Sequence, residues 1–440
     1  MKAIAEAETP PKKKYTEPDI KNITSFLLKI PLYRSHYSRR DSNKKYLPPH
    51  YTLAKLYNQY LIEPDHVVVS RTKFEEVFHT LNIGIKKPSK DTCGKCDSLR
   101  MKISLSASNV EEKLKYQNEL DTHQKQADDY YKLKAEDKRL SKNDPKTKTV
   151  TFDLQQCLAT PQLSSGVSFY LRQLWTFNLT IHDCDDDQAH CFMWHEAIAA
   201  RGANQVGSCI HQFLNSIPSN VEKITLYSDS CTGQNKNAHI VAMHFASLKS
   251  HPTLKIIKHK FLVPGHTHME CDGDHAVIEK KNKKTEAPIH HPRDWYQLVR
   301  CTGKKHPFKV IEMDQSKFFD YANLLKTELQ IKKKDETGNP FYWRDVREIR
   351  IDKNNIGIMY FKTGINESYR RLSFRKRGSL AKLVPEKQYK RLVPISEKKK
   401  ADLMQLLPYI SDLFCDFYKN LPTNQADDIH PDLEHSDEDE

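Results

Sequence analysis

The chain is poor in glycine, with 13 in 440 residues, too few for a repeat or low-complexity protein. No apolar run approaches the ~20 residues needed to cross a bilayer. Residues 1–25 lack the apolar stretch of a secretory signal. The ten cysteines stand singly except for Cys93 and Cys96, which is not a disulfide framework. Together these absences predict an intracellular protein with reduced thiols and no membrane span. Hydrophobic residues make up only 38 %. That is low for one globule, yet ample for a core of ~150 residues with polar attachments.

What the chain has in excess is positive charge, +13 formally. Residues 427–440 hold eight acids and no Lys or Arg, so everything before them stands eight charges higher, at +21. Between residues 280 and 400 there are 31 basic against 14 acidic side chains. Such a field suits a polyanion, nucleic acid before anionic membrane. A merely Lys-rich surface would show the same charge, so charge alone does not decide.

Residues 1–20 read as a disordered leader with a basic cluster at Lys12, Lys13 and Lys14. Residues 21–105 read as a helical region ending in a C-x-x-C, with helical stretches at 23–30, 53–60 and 73–81. Leu53, Leu56, Tyr57 and Tyr60 share one helical face. With Arg34, Arg39, Arg40, Lys44 and Lys45 between the helices, the region fits either a DNA-binding module or a small structural domain. Cys93 and Cys96 are half of a zinc site, because two thiolates at that spacing fit one tetrahedral Zn²⁺. His36, His50, His66 or His79 could be brought in by folding. Residues 106–145 contain good helix formers and a thin apolar stripe (Val110, Leu114, Leu120, Ala127, Tyr131, Leu133). They predict a long polar helix or helical hairpin that braces domains and carries no chemistry.

From residue 148 to 290 the texture changes. Runs rich in aromatic and β-branched residues at 148–158, 168–184, 190–198, 221–230 and 254–263 predict five strands. Helical spacing marks 204–217, 237–250 and 269–284. Three meandering strands, then helix, strand, helix, strand and helix, is the order of a ribonuclease H-like mixed α/β sheet. Ligands of such sheets collect at the carboxyl ends of strands. Asp153 interrupts the first strand and Asp229 closes the fourth. Asp272, Asp274 and Glu279 lie at or in the last helix. Converging carboxylates repel unless divalent cations neutralise them, and two Mg²⁺ or Mn²⁺ ions suit an in-line phosphoryl displacement. Asp272 and Glu279, seven apart, share a helical face, while Asp274 is turned by ~200°. Asp272 is therefore the expected third carboxylate, with Glu279 and Asp274 as alternates. His266 and His268 are further metal candidates, and His275 adds to the same stretch. Gln234, Asn235, Lys236 and Asn237 follow a turn at Gly233 and open a helix, where amides and backbone donors suit phosphate.

TFDLQQCLATP, YLRQLWTFNLTIHD, LYSDSCTGQNKN and VPGHTHMECDGDHAVIEK, in this order, resemble a transposable-element-derived family with a ribonuclease H-like transposase domain. SHYSRRDSNKKYL and KKPSKDTCGKCD resemble it too, so the likeness covers most of residues 30–300. It implies that Asp153, Asp229 and Asp272 form a metal-binding carboxylate triad for DNA strand cleavage and strand transfer, in a nuclear protein. It allows equally a domesticated, catalytically silent factor that binds DNA or protein. A dinuclear metallophosphoesterase using the GHTH element is a further alternative, although the earlier motifs of such enzymes are missing.

Residues 305–392 read as a separate basic β-rich module. There Arg344, Arg347, Arg370, Arg371 and Arg375, with Lys280 and Lys281 before it, are candidate DNA contacts. Residues 395–422 read as one amphipathic helix with Leu403, Leu406, Leu407, Ile410, Leu413, Phe414 and Phe417 on one face, covered by the body or by a second subunit. A homodimer or higher oligomer is thus a possible assembly. Residues 423–440 read as a disordered acidic tail.

Overall fold

The computed structural model describes residues 15–31, 33–34, 45–48, 51–85, 92–106, 109–303, 306–376 and 383–426. The basic cluster at 12–14, His36, Arg39, Arg40, Lys44, His50 and the acids of 427–440 lie outside the described residues. The chain forms two compact units, 1–94 and 95–440.

The first unit contains α1 (Glu17–Lys29), β1 (Tyr33–Arg34), β2 (Lys45–Leu47), α2 (Leu53–Tyr60), α3 (Arg71–Thr80) and β3 (Ile83–Ile85). Its core gathers Ile23, Phe26, Leu27, Leu56, Tyr60, Phe74 and Val77, so the apolar face expected on 53–60 is a packing face. The first helix starts at Glu17, inside the expected leader, because the Thr16 N–H is capped by the Asp19 carboxylate at 2.8 Å. His66 bonds locally to the Glu63 carbonyl at 2.8 Å, and His79 is exposed.

The second unit runs α4 (Gly94–Leu105), α5 (Val110–Asn143), β4 (Thr147–Leu154), β5 (Leu158–Thr160), β6 (Leu174–Asp183), β7 (Gln188–His195), α6 (Ala203–Leu214), β8 (Lys223–Ser228), α7 (Ala238–Ser250), β9 (Ile256–Phe261), α8 (Glu270–Lys284) and α9 (Pro292–Arg300). It continues through β10 (Lys309–Glu312), α10 (Tyr321–Glu328), β11 (Glu348–Asp352), β12 (Ile358–Lys362), β13 (Arg370–Ser373), β14 (Ile395–Ser396), α11 (Glu397–Leu406), α12 (Asp412–Lys419) and β15 (Thr423–Asn424). The fold is mixed α/β around one large sheet of order β10-β7-β6-β4-β8-β9-β11-β12-β13, with β5 beside β6. At its centre β4, β8 and β9 are parallel, while β6 and β7 are antiparallel neighbours.

Alternation along each strand separates two faces. On β7, Phe192 and Trp194 join the core under α6, α7 and α10, whereas Cys191 and Met193 pack beneath α8 and α9. On β4, Val150, Phe152 and Leu154 take the first face, which turns Thr149, Thr151 and Asp153 to the second. The buried Tyr227 of β8, register partner of Thr151, meets Ala127 and Tyr130 of α5 and Cys271 of α8 on that second face.

Three expectations are corrected. Residues 305–392 are not a separate module: β11 pairs with β9, placing Ile351 opposite Ile257, and Ile349, Ile351, Met359, Phe361 and Leu372 extend the same core. Residues 395–422 are not one helix. Pro408 has no N–H to continue the ladder, so α11 ends in a short turn at Leu407–Tyr409 and α12 restarts at Asp412. Leu413 is left exposed, while Leu403, Leu406 and Ile410 pack on Leu174 and Ala197. The first residues of the expected tail, Thr423 and Asn424, form β15 against β14.

Candidate active site and metal-ligand clusters

Asp153 sits at the carboxyl end of β4, and Asp229 directly follows the adjacent parallel strand β8. The turn after β8 holds Asp229 in place: its Oδ1 accepts from the Cys231 N–H at 3.1 Å and from the Asn235 side-chain amide. Asp272 arrives from the first turn of α8, which packs across β4 and β6. Its Oδ2 accepts from the Met269 N–H at 2.6 Å and lies 3.3 Å from His268 Nδ1. One helical turn further, buried His275 completes a cluster. Ligand atoms of Asp153, Asp272 and His275 all lie within 4.8 Å of one another.

The electrostatics are those of a cation site. Burial first, then the charges of Asp229 and Asp272, push the Asp153 carboxyl well above its ordinary value. Burial also raises Asp229, against the Cys231 and Asn235 hydrogen bonds. At Asp272 burial is outweighed by His268 and the Met269 N–H, so this carboxyl is held below the usual range. Burial lowers His275 to about 4, against the pull of Asp272, and keeps its imidazole neutral. Its Nε2 is buried without a hydrogen-bond partner among the described residues. Two carboxylates and an imidazole that converge in this way fit a divalent cation.

The other sequence candidates divide clearly. Asp274 turns to His182, with Oδ2 2.8 Å from Nδ1. Glu279, two turns beyond Asp272, is exposed and outside the cluster. His268 serves Asp272, whereas His266 belongs to a second group of possible ligands with Cys93, Cys96 and His123. The two histidines of GHTH therefore go to different clusters. Buried His123, on the helix α5 that was expected only to brace domains, was not foreseen as a member of that group. Of the histidines expected as partners of the thiols, His66 and His79 are not in that group, and His36 and His50 lie outside the described residues.

Three of the four residues expected to meet phosphate after β8 are corrected by burial. Gln234, Asn235 and Lys236 are all under one-tenth exposed. Asn235 is spent on Asp229, and Lys236 Nζ reaches the Arg344 carbonyl at 3.3 Å. Asn237 caps α7, accepting from the Ile240 N–H at 3.1 Å. By contrast Lys280, Lys281, Arg344, Arg371 and Arg375 are exposed. Half-buried Arg347 and Arg370 line a polar cavity of about 470 Å³ with Gln126, Asp129 and Tyr130. Arg370 also pairs with Asp335 at 2.5 Å, and Arg371 with Glu336 at 3.2 Å. Sequence reading missed a cross-strand row in which Lys258, Arg350, Tyr360 and Arg371 are successive neighbours over β9, β11, β12 and β13. Arg350 and Arg371 lie 5.9 and 5.6 Å from the Tyr360 ring centre.

Fold and site together define a mixed α/β protein with an acid–imidazole cluster at the carboxyl ends of its central parallel strands. Residues 179–350 match a family described as a domain of unknown function (DUF7869). No curated protein is matched by the chain. The matched stretch begins within β6 and ends within β11. It includes Asp229, Asp272 and His275, and runs across the boundary where the sequence suggested a separate basic module. No helix among the described residues is long and apolar enough to cross a membrane.

Proposed function

We propose that the chain is a transposase-like, metal-dependent DNA strand-cleavage and strand-transfer enzyme of the ribonuclease H-like class, acting in the nucleus. One observation carries the reading: Asp153 and Asp229 close adjacent parallel strands while α8 brings Asp272 within reach of Asp153. The central order β7-β6-β4-β8-β9, in which β6 runs antiparallel to both β7 and β4 while β4, β8 and β9 are parallel, supports the fold assignment. The cationic–aromatic row on β9 to β13 supports a polyanionic substrate, since arginine and tyrosine together suit phosphates and bases.

In this reading Asp153, Asp229 and Asp272, joined by His275, hold Mg²⁺ or Mn²⁺. The chemistry such ions supply when bound is activation of water or a 3′-hydroxyl towards a phosphodiester. The chain's own groups orient the carboxylates: Asn235 and the Cys231 N–H fix Asp229, and His268 and the Met269 N–H fix Asp272. Zn²⁺ is the ion suited to the thiolate–imidazole group.

Mn²⁺-dependent nicking of supercoiled DNA tests the proposal. Metal stabilisation of the reacting charge amounts to several kcal/mol, so Asp153→Asn and Asp229→Asn should each lose about 100-fold or more in rate. Equal nicking by wild type and both variants sinks the assignment. If none of the three cleaves but all bind DNA tightly and salt-sensitively, the chain is a silent DNA-binding factor.

A further inference from the structure

We propose that Cys93, Cys96, His123 and His266 form a structural Zn²⁺ site that anchors the loop leading to Asp272. Cys93 immediately precedes α4 and Cys96 lies in its first turn, so the C-x-x-C spacing turns both thiols to one side. Both are only 2 % exposed. His123 comes from the buried stripe of α5, in register with Leu120 and Ala127. His266 comes from the loop between β9 and α8, just after a turn in which Gly265 takes φ 74°.

The four ligand atoms lie within 4.8 Å of one another. Cys96 Sγ is 3.3 Å from His266 Nε2, and the rings of His123 and His266 are 4.8 Å apart, nearly edge to face. In a tetrahedral site with Zn–S near 2.3 Å and Zn–N near 2.0 Å, neighbouring ligand atoms stand ~3.3–3.8 Å apart. The group is therefore close to the required size. Two thiolates and two neutral imidazoles, all buried, are the donor set of closed zinc sites, whereas Mg²⁺ and Ca²⁺ select oxygen. With no open carboxylate or water position in the set, the role is structural.

What the site would anchor follows from its neighbours. The Tyr131 hydroxyl of α5 donates to the His266 carbonyl at 3.1 Å and accepts from the His268 N–H at 3.1 Å. His268 in turn meets Asp272. Zinc at His266 fixes the loop two residues before the histidine that orients the third carboxylate. The zinc assignment does not depend on cleavage chemistry, and its readouts are separate from cleavage.

Metal analysis of the purified full chain, prepared without added metal and then with Zn²⁺ under reducing conditions, is the first test. About one tightly held zinc per chain is expected, and Cys96→Ser and His123→Ala should fall to background. His268→Ala, two residues from His266, should keep its zinc. Because ligand variants can fail to fold, Co²⁺ replacement in the wild type gives an independent reading. Thiolate-to-cobalt charge-transfer bands with intense tetrahedral d–d absorption are expected. A folded, metal-free wild type that takes up no zinc overturns the proposal, as does a Co²⁺ spectrum without thiolate bands. So does a Cys93–Cys96 disulfide in the protein as isolated under reducing conditions.

Discussion

Asp229 presents one carboxylate oxygen to two donors, the Cys231 N–H and the Asn235 amide, both supplied by the turn after β8. Asn235 is 2 % exposed, so its amide has no water to replace it as a partner. Asn235→Ala removes a buried hydrogen bond to a charged group, which costs about 1.5–3 kcal/mol. Urea unfolding should show that loss with an unchanged m-value, and an unaltered midpoint would refute the orienting role. At this scale Asp153 and Asp229 were legible because each interrupts or ends an apolar strand, where a carboxylate needs a reason. His123 was not legible. A histidine within a polar helix has no local signature, and its burial depends on a loop far along the chain. Gln234 and Lys236 misled for the opposite reason: polar residues at a helix start usually face solvent, and here tertiary packing covers them.

Among the elements, α5 departs most from its sequence appearance. Its apolar content is thin, and Val110 and Leu114 are exposed, yet its polar residues brace the sheet. Asp137 accepts from Tyr227 and from Lys260, both at 2.5 Å, and Lys134 and Lys138 clamp Glu270 of α8 at 3.0 and 2.5 Å. Burial would raise the Glu270 carboxyl, but the two lysines hold it down at about 2. A carboxylate lowered from its unfolded value of 4.5 contributes stability fully present above that pH and lost as pH falls towards 2. Glu270→Gln leaves two lysines without their partner. The penalty should approach the ~3 kcal/mol seen when buried pairs are broken. Denaturant unfolding of both proteins between pH 7 and 3 should show a gap that is constant above about 5 and narrows below the unfolded carboxyl value of 4.5. A gap that does not change with pH would mean that Glu270 acts by packing alone. Periodicity revealed that a helix spans this segment, but not its partners, because ion pairs across the fold leave no period in sequence. The helix break at Pro408 is legible in the sequence, since proline has no N–H to continue the ladder, but the apolar face that runs through it masks the break.

At the scale of the whole molecule, the sheet joins what composition divided. The shift to basic, aromatic-rich sequence after residue 305 suggested a module boundary, since charge describes the solvent face of a strand more readily than its buried one. The buried positions of β11 to β13 continue the core of β8 and β9, and β10 closes the other edge on β7 in parallel register. A fragment of residues 148–290 would lose β10 and β11 and would expose two long strand edges, a known route to aggregation. It would also uncover Tyr227, Leu262 and Met269, which pack on α5. Residues 95–426 keep all of these contacts. The longer fragment should unfold cooperatively in urea, with coincident circular dichroism and tryptophan fluorescence transitions. The shorter one should show no cooperative transition or precipitate. If 148–290 unfolds cooperatively with the midpoint of the longer fragment, the flanking strands and α5 contribute nothing to the core. The carboxylate cluster would then rest on the central five strands and α8 alone.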